Sequence, residues 1–248
     1  MSRNVGPREQ SLRTYYDDEV SRRAARELDH ERALRRDEFV SRLASQGRRA
    51  VLEVGCGVGR DGVAFAQAGL DLVRVDLAPG SVEHCRGLGL HAEQASVLCL
   101  PFPDDSFDAG WTMSTLLHVA DEDLPSSLAE IARVLRSGSA LGVGVWGGVD
   151  RQEHQDGEGR PSRFFAFRSF FAFRSDEGLR SALQEIGTIQ SLETWGRADD
   201  HSGLHYQFAK HADRQRPKSV PTGSRTTPGI RDGSSVSSAP GGTMTPWT

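Results

Sequence analysis

The sequence has few cysteines, no long apolar run and no excess of positive charge. Its three cysteines, Cys56, Cys85 and Cys99, contain no CxxC motif, which argues against a zinc ribbon. Their odd number argues against a secreted domain whose cysteines are all paired in disulfides. No stretch approaches the roughly 18 apolar residues that a membrane-spanning helix needs. A net charge of -4 argues against a protein that binds nucleic acid or an anionic membrane through an overall positive charge. We therefore expect a soluble, cytoplasmic protein that is not inserted in a membrane.

Apolar residues are also scarce, and the deficit lies at the ends of the chain. Hydrophobic residues make up 37% of the sequence, below the roughly 45% usual in a compact domain. Of the thirty-seven residues in 212–248, twenty-two are Pro, Gly, Ser or Thr, a composition that buries too little surface to offset its ordering entropy. We predict a flexible N-terminus over 1–15, a helical cap over 16–48, the main domain over 49–211 and a disordered tail over 212–248.

The cap is predicted from the spacing of its apolar residues. From about Val20 to Ala44 they recur at intervals of three to five residues in a segment rich in Ala, Leu, Arg and Glu. This pattern indicates one amphipathic helix, or two, with a charged outer face. We interpret that face as an ordinary solvated surface.

From Arg49 onward, short apolar runs alternate with helical periodicity. Such alternation predicts a mainly parallel α/β sheet with helices on both faces, because parallel neighbours need crossover connections. A short connection between the last two strands predicts an antiparallel hairpin at one edge. The predicted strands are 51–54, 72–76, 90–95, 107–113, 140–146, 188–194 and 203–210, and the predicted helices are 61–68, 79–88, 124–135 and 176–186.

Three alternating glycines, Gly55, Gly57 and Gly59, lie between the first strand and the first helix of this domain. Glycine permits a tight turn and a close approach of backbone to a ligand, and the N–H groups of the helix can bind anionic atoms. A nucleotide fits such a turn, although the glycines could also merely shape a loop. A dinucleotide fingerprint would require Gly or Ala at the position of Arg60, which disfavours a nucleotide-dependent oxidoreductase.

Two further motifs follow. Asp76 closes the second strand seventeen residues beyond Gly59, where a carboxylate can accept hydrogen bonds from both hydroxyls of a ribose. A helix N-cap or a turn is the alternative role for Asp76. The segment Leu100–Pro101–Phe102 is a rigid proline turn that leads into the fourth strand, which opens with Phe107.

In this order, the three motifs resemble the class I S-adenosylmethionine-dependent methyltransferases, in particular the small-molecule branch with a methyltransferase type 11-like domain. The resemblance covers roughly residues 51–146. It implies a Rossmann-like, seven-stranded sheet, S-adenosyl-L-methionine as cofactor, and methyl transfer to an O, N or C atom of a small molecule rather than a nucleic acid. A noncatalytic cofactor-binding protein is the alternative of a different class.

The resemblance also assigns residues to parts of the cofactor. Glu53 and the glycine turn would surround the methionine portion, and Asp76 would hold the ribose. The family usually has Asp where this chain has Ser96, which can accept one hydrogen bond from the adenine amino group without the charge. We interpret Cys56 as a small buried residue rather than a nucleophile. The cofactor-binding residues predicted in this way are Glu53, Gly55, Cys56, Gly57, Gly59, Asp76, Leu77, Ser96, Val97 and Thr112.

The turn after the fourth strand should border the transferable methyl group, and it contains His118. This imidazole could deprotonate an acceptor hydroxyl. We favour simple packing at a helix start, since in-line displacement gains most from positioning of the reactants. Tyr15, Tyr16 and Asp17 look like the Tyr-Asp pair that closes over the cofactor in many relatives, or else a plain helix start. The scattered histidines form no metal-ligand pattern.

A six-residue repeat, Phe-Phe-Ala-Phe-Arg-Ser, occurs at 164–169 and again at 170–175. One copy suffices as a strand-like lead into the last helix. Six is an even number, so the insertion preserves which side chains face inward in an extended segment. We favour a neutral duplication looped out at the surface over an aromatic lid on the acceptor pocket.

Overall fold

Helices and strands alternate in the computed structural model, which describes residues 6–154, 170–197 and 204–213. All of these elements belong to one compact unit, Met1–Gln215. No helix within the described ranges combines the length and apolar content needed to cross a membrane. The helices are α1 (Pro7–Ala24), α2 (His30–Ser45), α3 (Arg60–Gln67), α4 (Pro79–Gly87), α5 (Leu124–Val134) and α6 (Asp176–Gln184). The strands are β1 (Ala50–Val54), β2 (Asp71–Asp76), β3 (Ala92–Gln94), β4 (Phe107–Met113), β5 (Leu135–Gly147), β6 (Arg151–His154), β7 (Phe170–Phe173), β8 (Gly187–Arg197) and β9 (His205–Asp213).

Seven strands form the main sheet, in the order β3-β2-β1-β4-β5-β9-β8. Strands β1 to β5 are mutually parallel, whereas β9 is antiparallel to both β5 and β8. The predicted fold class is thereby confirmed, including the antiparallel hairpin at one edge. Because the chain runs outward from β1 in one direction and from β4 in the other, the carboxyl ends of these two strands flank the switch point at which open α/β sheets bind ligands.

The core lies on both faces of this sheet, because side chains on each strand alternate between the faces. Trp111 of β4 packs against Phe39 of α2 and Phe65 of α3, with ring centroids 5.0 and 5.6 Å apart. On the opposite face, Leu128 of α5 and Leu183 of α6 are buried in a second cluster. The helices are thus amphipathic in the sense that the sequence predicts.

The prediction of a flexible N-terminus over 1–15 is wrong for residues 7–15, because α1 begins at Pro7. Proline is well suited to the first position of a helix, where its missing N–H leaves no bond unmade. Glu9 accepts a hydrogen bond from the Gly6 N–H at 3.2 Å, and Leu12 is buried. Pro followed two residues later by Glu is a recognisable helix start, even in a segment whose composition is polar.

The helical cap consists of two helices rather than one. Residues 25–29 separate α1 from α2. Asp29 ends this break as the N-cap of α2, where its side chain accepts the Arg32 N–H at 3.0 Å. A capping carboxylate of this kind satisfies one of the backbone donors that a new helix leaves unpaired.

The second copy of the six-residue repeat forms β7, which pairs with β6 in a separate two-stranded sheet. It leads directly into α6, whose N-cap Ser175 accepts the Gly178 N–H at 3.1 Å, so a single copy does supply the predicted strand. The first copy, 164–169, lies outside the described residues, and its looping out stays a prediction. The tail predicted from 212 begins at least two residues later, because β9 pairs through Asp213; residues 214–248 lie outside the described ranges.

Candidate active site

A cavity of about 750 Å³ lies at the carboxyl ends of β1, β2, β3 and β4, within the usual size range for small-molecule sites. Its floor is formed by the segments that follow these strands: 55–58, 76–78, 95–98 and 113–115. Helix α1 forms the opposite wall through residues that include Glu9, Leu12 and Tyr16. The site is therefore bounded by the turns that the sequence predicts and by a helix whose first half precedes the predicted cap.

The turn after β1 contains glycines because its backbone is left-handed at these positions. Gly55, Gly57 and Gly59 have φ values of 78°, 51° and 76°, which glycine adopts at little cost. A Cβ on Gly55 would lie 2.8 Å from the Cβ of Thr115, whose hydroxyl donates to the Val54 carbonyl at 3.0 Å. At Gly57 a Cβ would have no protein atom within 4 Å. The turn thus packs tightly behind Gly55 and leaves the backbone at Gly57 open to a ligand.

Asp76 joins this turn to the end of β2. One carboxylate oxygen accepts the Gly57 N–H at 2.8 Å, and the other accepts the Ala78 N–H at 2.9 Å. Burial raises the pKa of Asp76, and these two backbone bonds oppose that effect. The N-cap of α4 is Ala78 rather than Asp76. A carboxylate has about four acceptor sites, so Asp76 can hold the turn and accept ligand hydroxyls as well.

Seven of the predicted cofactor-binding residues line the cavity, and three lie behind its wall. Glu53 points to the α3 face of β1, where its carboxylate lies 3.3 Å from Arg74 and burial raises its pKa. Gly59 packs against Cys85, and Thr112 is buried in β4. The three therefore support the wall without facing the cavity. Those that line it are Gly55, Cys56, Gly57, Asp76, Leu77, Ser96 and Val97.

Cys56 and Cys85 lie close together, with 3.6 Å between their sulfur atoms. The hydrogen bond shared with Cys85 and the burial of the site raise the pKa of Cys56. A thiol that resists ionisation is a poor nucleophile. This environment agrees with the interpretation of Cys56 as a small packing residue.

Ser96 holds a carboxylate that comes from α1. Its hydroxyl oxygen accepts the Leu98 N–H at 3.1 Å and its hydrogen is donated to Glu9. Glu9 therefore brings a negative charge to the strand end where Ser96 alone would bring none. No sequence signal links these two residues, which are 87 positions apart.

His118 ends a short 3-10 turn, Leu116–His118, and lines the cavity. Its Nδ1 lies 2.9 Å from the Phe170 carbonyl oxygen, which can only accept, so Nδ1 carries the proton. Its Nε2 lies 2.5 Å from the Tyr16 hydroxyl and accepts a hydrogen bond from it. Burial lowers the pKa of His118 to about 4. The imidazole is thus neutral near pH 7 and packed in place, with its basic nitrogen bound to Tyr16.

The environment of His118 predicts a pH effect on stability. The pKa of about 4 in the folded protein lies below the ordinary value of 6.5, so the unfolded chain binds more protons between these pH values. The free energy of unfolding should therefore fall as the pH drops from about 6.5 to about 4, by up to roughly 3 kcal/mol from this residue. In the His118→Gln variant, this part of the pH dependence should be absent. Urea unfolding at a series of pH values measures the free energy of unfolding of both proteins.

Exposed His91 provides the matched control, because its side chain is 62% exposed. His91→Gln should keep the pH profile of the wild type. An unchanged profile in His118→Gln would contradict the buried, neutral state assigned to His118.

Tyr16 and Asp17 lie in the middle of α1, so the interpretation of this pair as a plain helix start is wrong. Asp17 accepts the Gly80 N–H at 2.7 Å, which attaches α1 to the first turn of α4. Tyr16 contacts His118 from the same helix. The pair closes α1 over the cavity, as the resemblance implies.

Several arginines line the cavity, and one of them attaches α2 to the first turn of α3. Arg32 of α2 lies 2.6 Å from Asp61, which is fully buried and also accepts the Trp111 indole N–H at 3.1 Å. The prediction that the charged face of the cap is simply solvated is wrong for Arg32. An acidic residue in the first turn of a helix is common in any sequence, so the Arg32–Asp61 contact has no sequence signal of its own. The arginines of the wall are Arg8, Arg23, Arg26, Arg32 and Arg60.

Metal ligands are not grouped in the described part of the chain: no three His, Cys, Asp or Glu side chains there could hold an ion together.

Comparisons with known proteins agree with this geometry. Residues 51–138 match the sequence family described as a methyltransferase domain. The O-methyltransferase resE of Aspergillus sclerotiorum is 30% identical over 159 residues, which cover 60% of this chain and 58% of that protein. The O-methyltransferase rstn1 of Aspergillus nomiae is 34% identical over 137 residues, which cover 52% and 59%. The chain thus spans less than two thirds of the length of these curated relatives.

A solved structure shows the same fold. It is the 1,6-didemethyltoxoflavin-N1-methyltransferase of Burkholderia thailandensis with bound 1,6-didemethyltoxoflavin and S-adenosylhomocysteine. The TM-score is 0.63 at 19% identity, and the match covers 86% of this chain and 93% of that one. At this identity the likeness extends to the fold alone.

Proposed function

We propose that this chain, whose residues 51–138 match a methyltransferase domain family, is a class I S-adenosylmethionine-dependent enzyme that transfers a methyl group from S-adenosylmethionine to a small molecule. The observation that carries the proposal is the cavity, in which the open backbone at Gly57, the Asp76 carboxylate and the apolar Leu77 follow one another. This order suits an amino acid, a ribose and a base. The names of matched relatives include O- and C-methyltransferases, so the proposal covers an oxygen, nitrogen or carbon acceptor.

The cavity residues suit each part of the cofactor. The ribose hydroxyls would donate to Asp76, and the base would lie against Leu77 and Val97. Arg23 and Arg60 could pair with the methionyl carboxylate, because guanidinium groups bind carboxylates through paired N–H donors. When bound, S-adenosylmethionine supplies a methyl group attached to positively charged sulfur.

The chain's own residues would position the acceptor and exclude water. Helix α1 covers the cavity, and Tyr16 and His118 form the wall beyond the end of β4. Holding two reactants in line is the main source of rate in such a displacement. If an acceptor displaced the Tyr16 hydroxyl, the Nε2 atom of His118 would be placed to take its proton, but a pKa of about 4 makes His118 a weak base, so positioning is its main proposed role.

Titration calorimetry tests the cofactor. We expect heat of binding from S-adenosylmethionine and S-adenosylhomocysteine and none from NAD, because Arg60 occupies the position of the third dinucleotide glycine. Arg60 is also held there by the carbonyl groups of Glu27 and Arg23. Tight NAD binding without heat from either methionine-derived ligand would overturn the proposal in favour of an oxidoreductase.

Incubation with methyl-labelled S-adenosylmethionine and a metabolite extract tests catalysis. We expect label in a small molecule. Cofactor binding with no transfer to any component of the extract would favour the alternative, a noncatalytic cofactor-binding protein.

We also propose a reducing, cytoplasmic compartment and a small-molecule rather than nucleic-acid partner. Three free cysteines, of which Cys99 is exposed, support the first, and the net charge of -4 supports the second. Our proposed limits for the cofactor-binding domain are 49–211, preceded by the helical cap that begins at Pro7.

A further inference from the structure

Two buried cysteines contact each other behind the glycine turn. Cys56 belongs to that turn and lines the cavity, and Cys85 lies on α4. Both are free thiols, 6% and 0% exposed, and their sulfur atoms are 3.6 Å apart. The sulfur of Cys85 also lies 3.5 Å from the Gly57 carbonyl oxygen. Cys85 therefore contacts the turn at two successive residues.

A small movement would bring the two sulfur atoms to bonding distance. Bonded sulfur atoms in a disulfide are about 2.05 Å apart, so this pair must approach by roughly 1.5 Å. The turn is held on its other side by β2, because the Cys56 N–H donates to the Val75 carbonyl at 3.1 Å and the Gly57 N–H donates to Asp76 at 2.8 Å. A bond between the two cysteines would therefore pull the turn toward α4 and away from β2.

We propose that a peroxide joins Cys56 and Cys85 in a reversible disulfide, and that this disulfide lowers the affinity of the cavity for the cofactor; the effect on affinity rests on the proposed function. Cys56 immediately precedes Gly57, whose open backbone is the proposed contact for the amino acid portion of the cofactor. Movement of the turn displaces that backbone and weakens the bond from Gly57 to Asp76. In a reducing compartment such a disulfide is transient, as is usual for disulfides that regulate.

The peroxide is the oxidant, and it takes up the two electrons that the thiols lose. The hydrogen bond shared with Cys56 lowers the pKa of the Cys85 thiol; burial opposes this effect, and the charge of Arg74 supports it. The Cys85 thiolate attacks a peroxide oxygen: an S–O bond forms, the O–O bond breaks, and the departing hydroxide combines with the proton that Cys85 has lost. The Cys56 sulfur then attacks the resulting sulfenic acid. The S–S bond forms, the S–O bond breaks, and the hydroxyl group leaves with the proton of Cys56 as a second water.

Close contact compensates for the weak acidity of Cys56. The raised pKa of its thiol makes it a poor nucleophile toward molecules in solution, but a sulfenic acid on Cys85 would be held against it, and such positioning raises the rate. A small oxidant can approach the pair through the cavity, which Cys56 lines. A ligand in the cavity would block this approach, so bound S-adenosylhomocysteine should slow the oxidation.

The test uses a Cys99→Ser variant, because Cys99 is exposed and would otherwise be oxidised as well. After treatment with hydrogen peroxide, the mass of the intact protein should fall by two hydrogen atoms, and digestion without reductant should yield a peptide pair that links Cys56 to Cys85. The Kd of S-adenosylhomocysteine, measured by calorimetry, should rise by about tenfold or more, which corresponds to the loss of one net hydrogen bond. Dithiothreitol should restore both the mass and the Kd.

Cys85→Ala in the same background is the matched control, because it removes the partner and leaves Cys56 in the cavity wall. Its Kd should be the same before and after peroxide treatment, and a thermal melt verifies that it is folded. An equal loss of affinity in this control would overturn the inference. So would a gain of oxygen atoms in place of the disulfide, or a disulfide that leaves the Kd unchanged. Failure of the reduced protein to bind S-adenosylhomocysteine would overturn the proposed function together with the effect on affinity, whereas the mass would still decide whether the disulfide forms.

Discussion

Asp76→Ala is expected to weaken S-adenosylhomocysteine binding by about 10- to 100-fold, since hydrogen bonds to a charged partner contribute roughly 1.5–3 kcal/mol and each 1.4 kcal/mol is tenfold. The variant loses the proposed acceptor for the ribose hydroxyls. It also loses the bond to the Gly57 N–H that holds the glycine turn against β2. Calorimetry measures the affinity, and circular dichroism verifies that the variant is folded.

Asp71 provides the control for Asp76, at the other end of the same strand. Its side chain is 73% exposed and lies 3.5 Å from Arg49, remote from the cavity wall. Asp71→Ala should leave the affinity unchanged. Wild-type affinity in a folded Asp76→Ala would show that Asp76 does not bind the ribose.

Gly55→Ala is expected to lower the free energy of unfolding by about 2–5 kcal/mol and to abolish cofactor binding. A left-handed φ of 78° is unfavourable for alanine by roughly 1–2 kcal/mol, and overpacking adds roughly 1–3 kcal/mol. Rotation of the Thr115 side chain cannot relieve the contact, because its Cβ is itself 2.8 Å from the added methyl group. The turn or the segment after β4 must therefore shift, and both line the cavity.

The control for Gly55 separates strain from steric contact. Gly69 has a similar φ of 74°, but an added Cβ would meet no atom within 4 Å. Gly69→Ala should cost only the conformational part, roughly 1–2 kcal/mol, and should bind the cofactor normally. Chemical denaturation of both variants decides the matter: equal losses of stability would rule out the contact with Thr115 as the cause.

Helix α1 is attached to the rest of the domain by three contacts along its length. Glu9 bonds to Ser96, Tyr16 to His118, and Asp17 to the Gly80 N–H. These contacts join the helix to segments that follow β3 and β4 and to the start of α4. We therefore expect a ligand that fills the cavity to stabilise the docked position of α1.

Local properties of the sequence determined the order of the elements and the position of the site. Strand β4, predicted at 107–113, is found at Phe107–Met113, because a buried strand is a short apolar run that is visible without its neighbours. The glycine turn was equally visible, since a positive φ is a requirement of the residue itself. Asp76 could be placed at the sheet edge because parallel strands all end on one side.

The tertiary structure alone decided which distant side chains contact each other around the cavity. Three such contacts join residues that are 87, 102 and 29 positions apart: Glu9–Ser96, Tyr16–His118 and Arg32–Asp61. The periodicity of a sequence does not indicate which distant residues pair. Glu53 follows the same rule: its strand was predicted, but it faces Arg74 rather than the cavity because of the register of β1 with β2. Local sequence determines which backbone conformations are favourable, whereas long-range partners depend on strand order and on how the helices pack across the finished sheet.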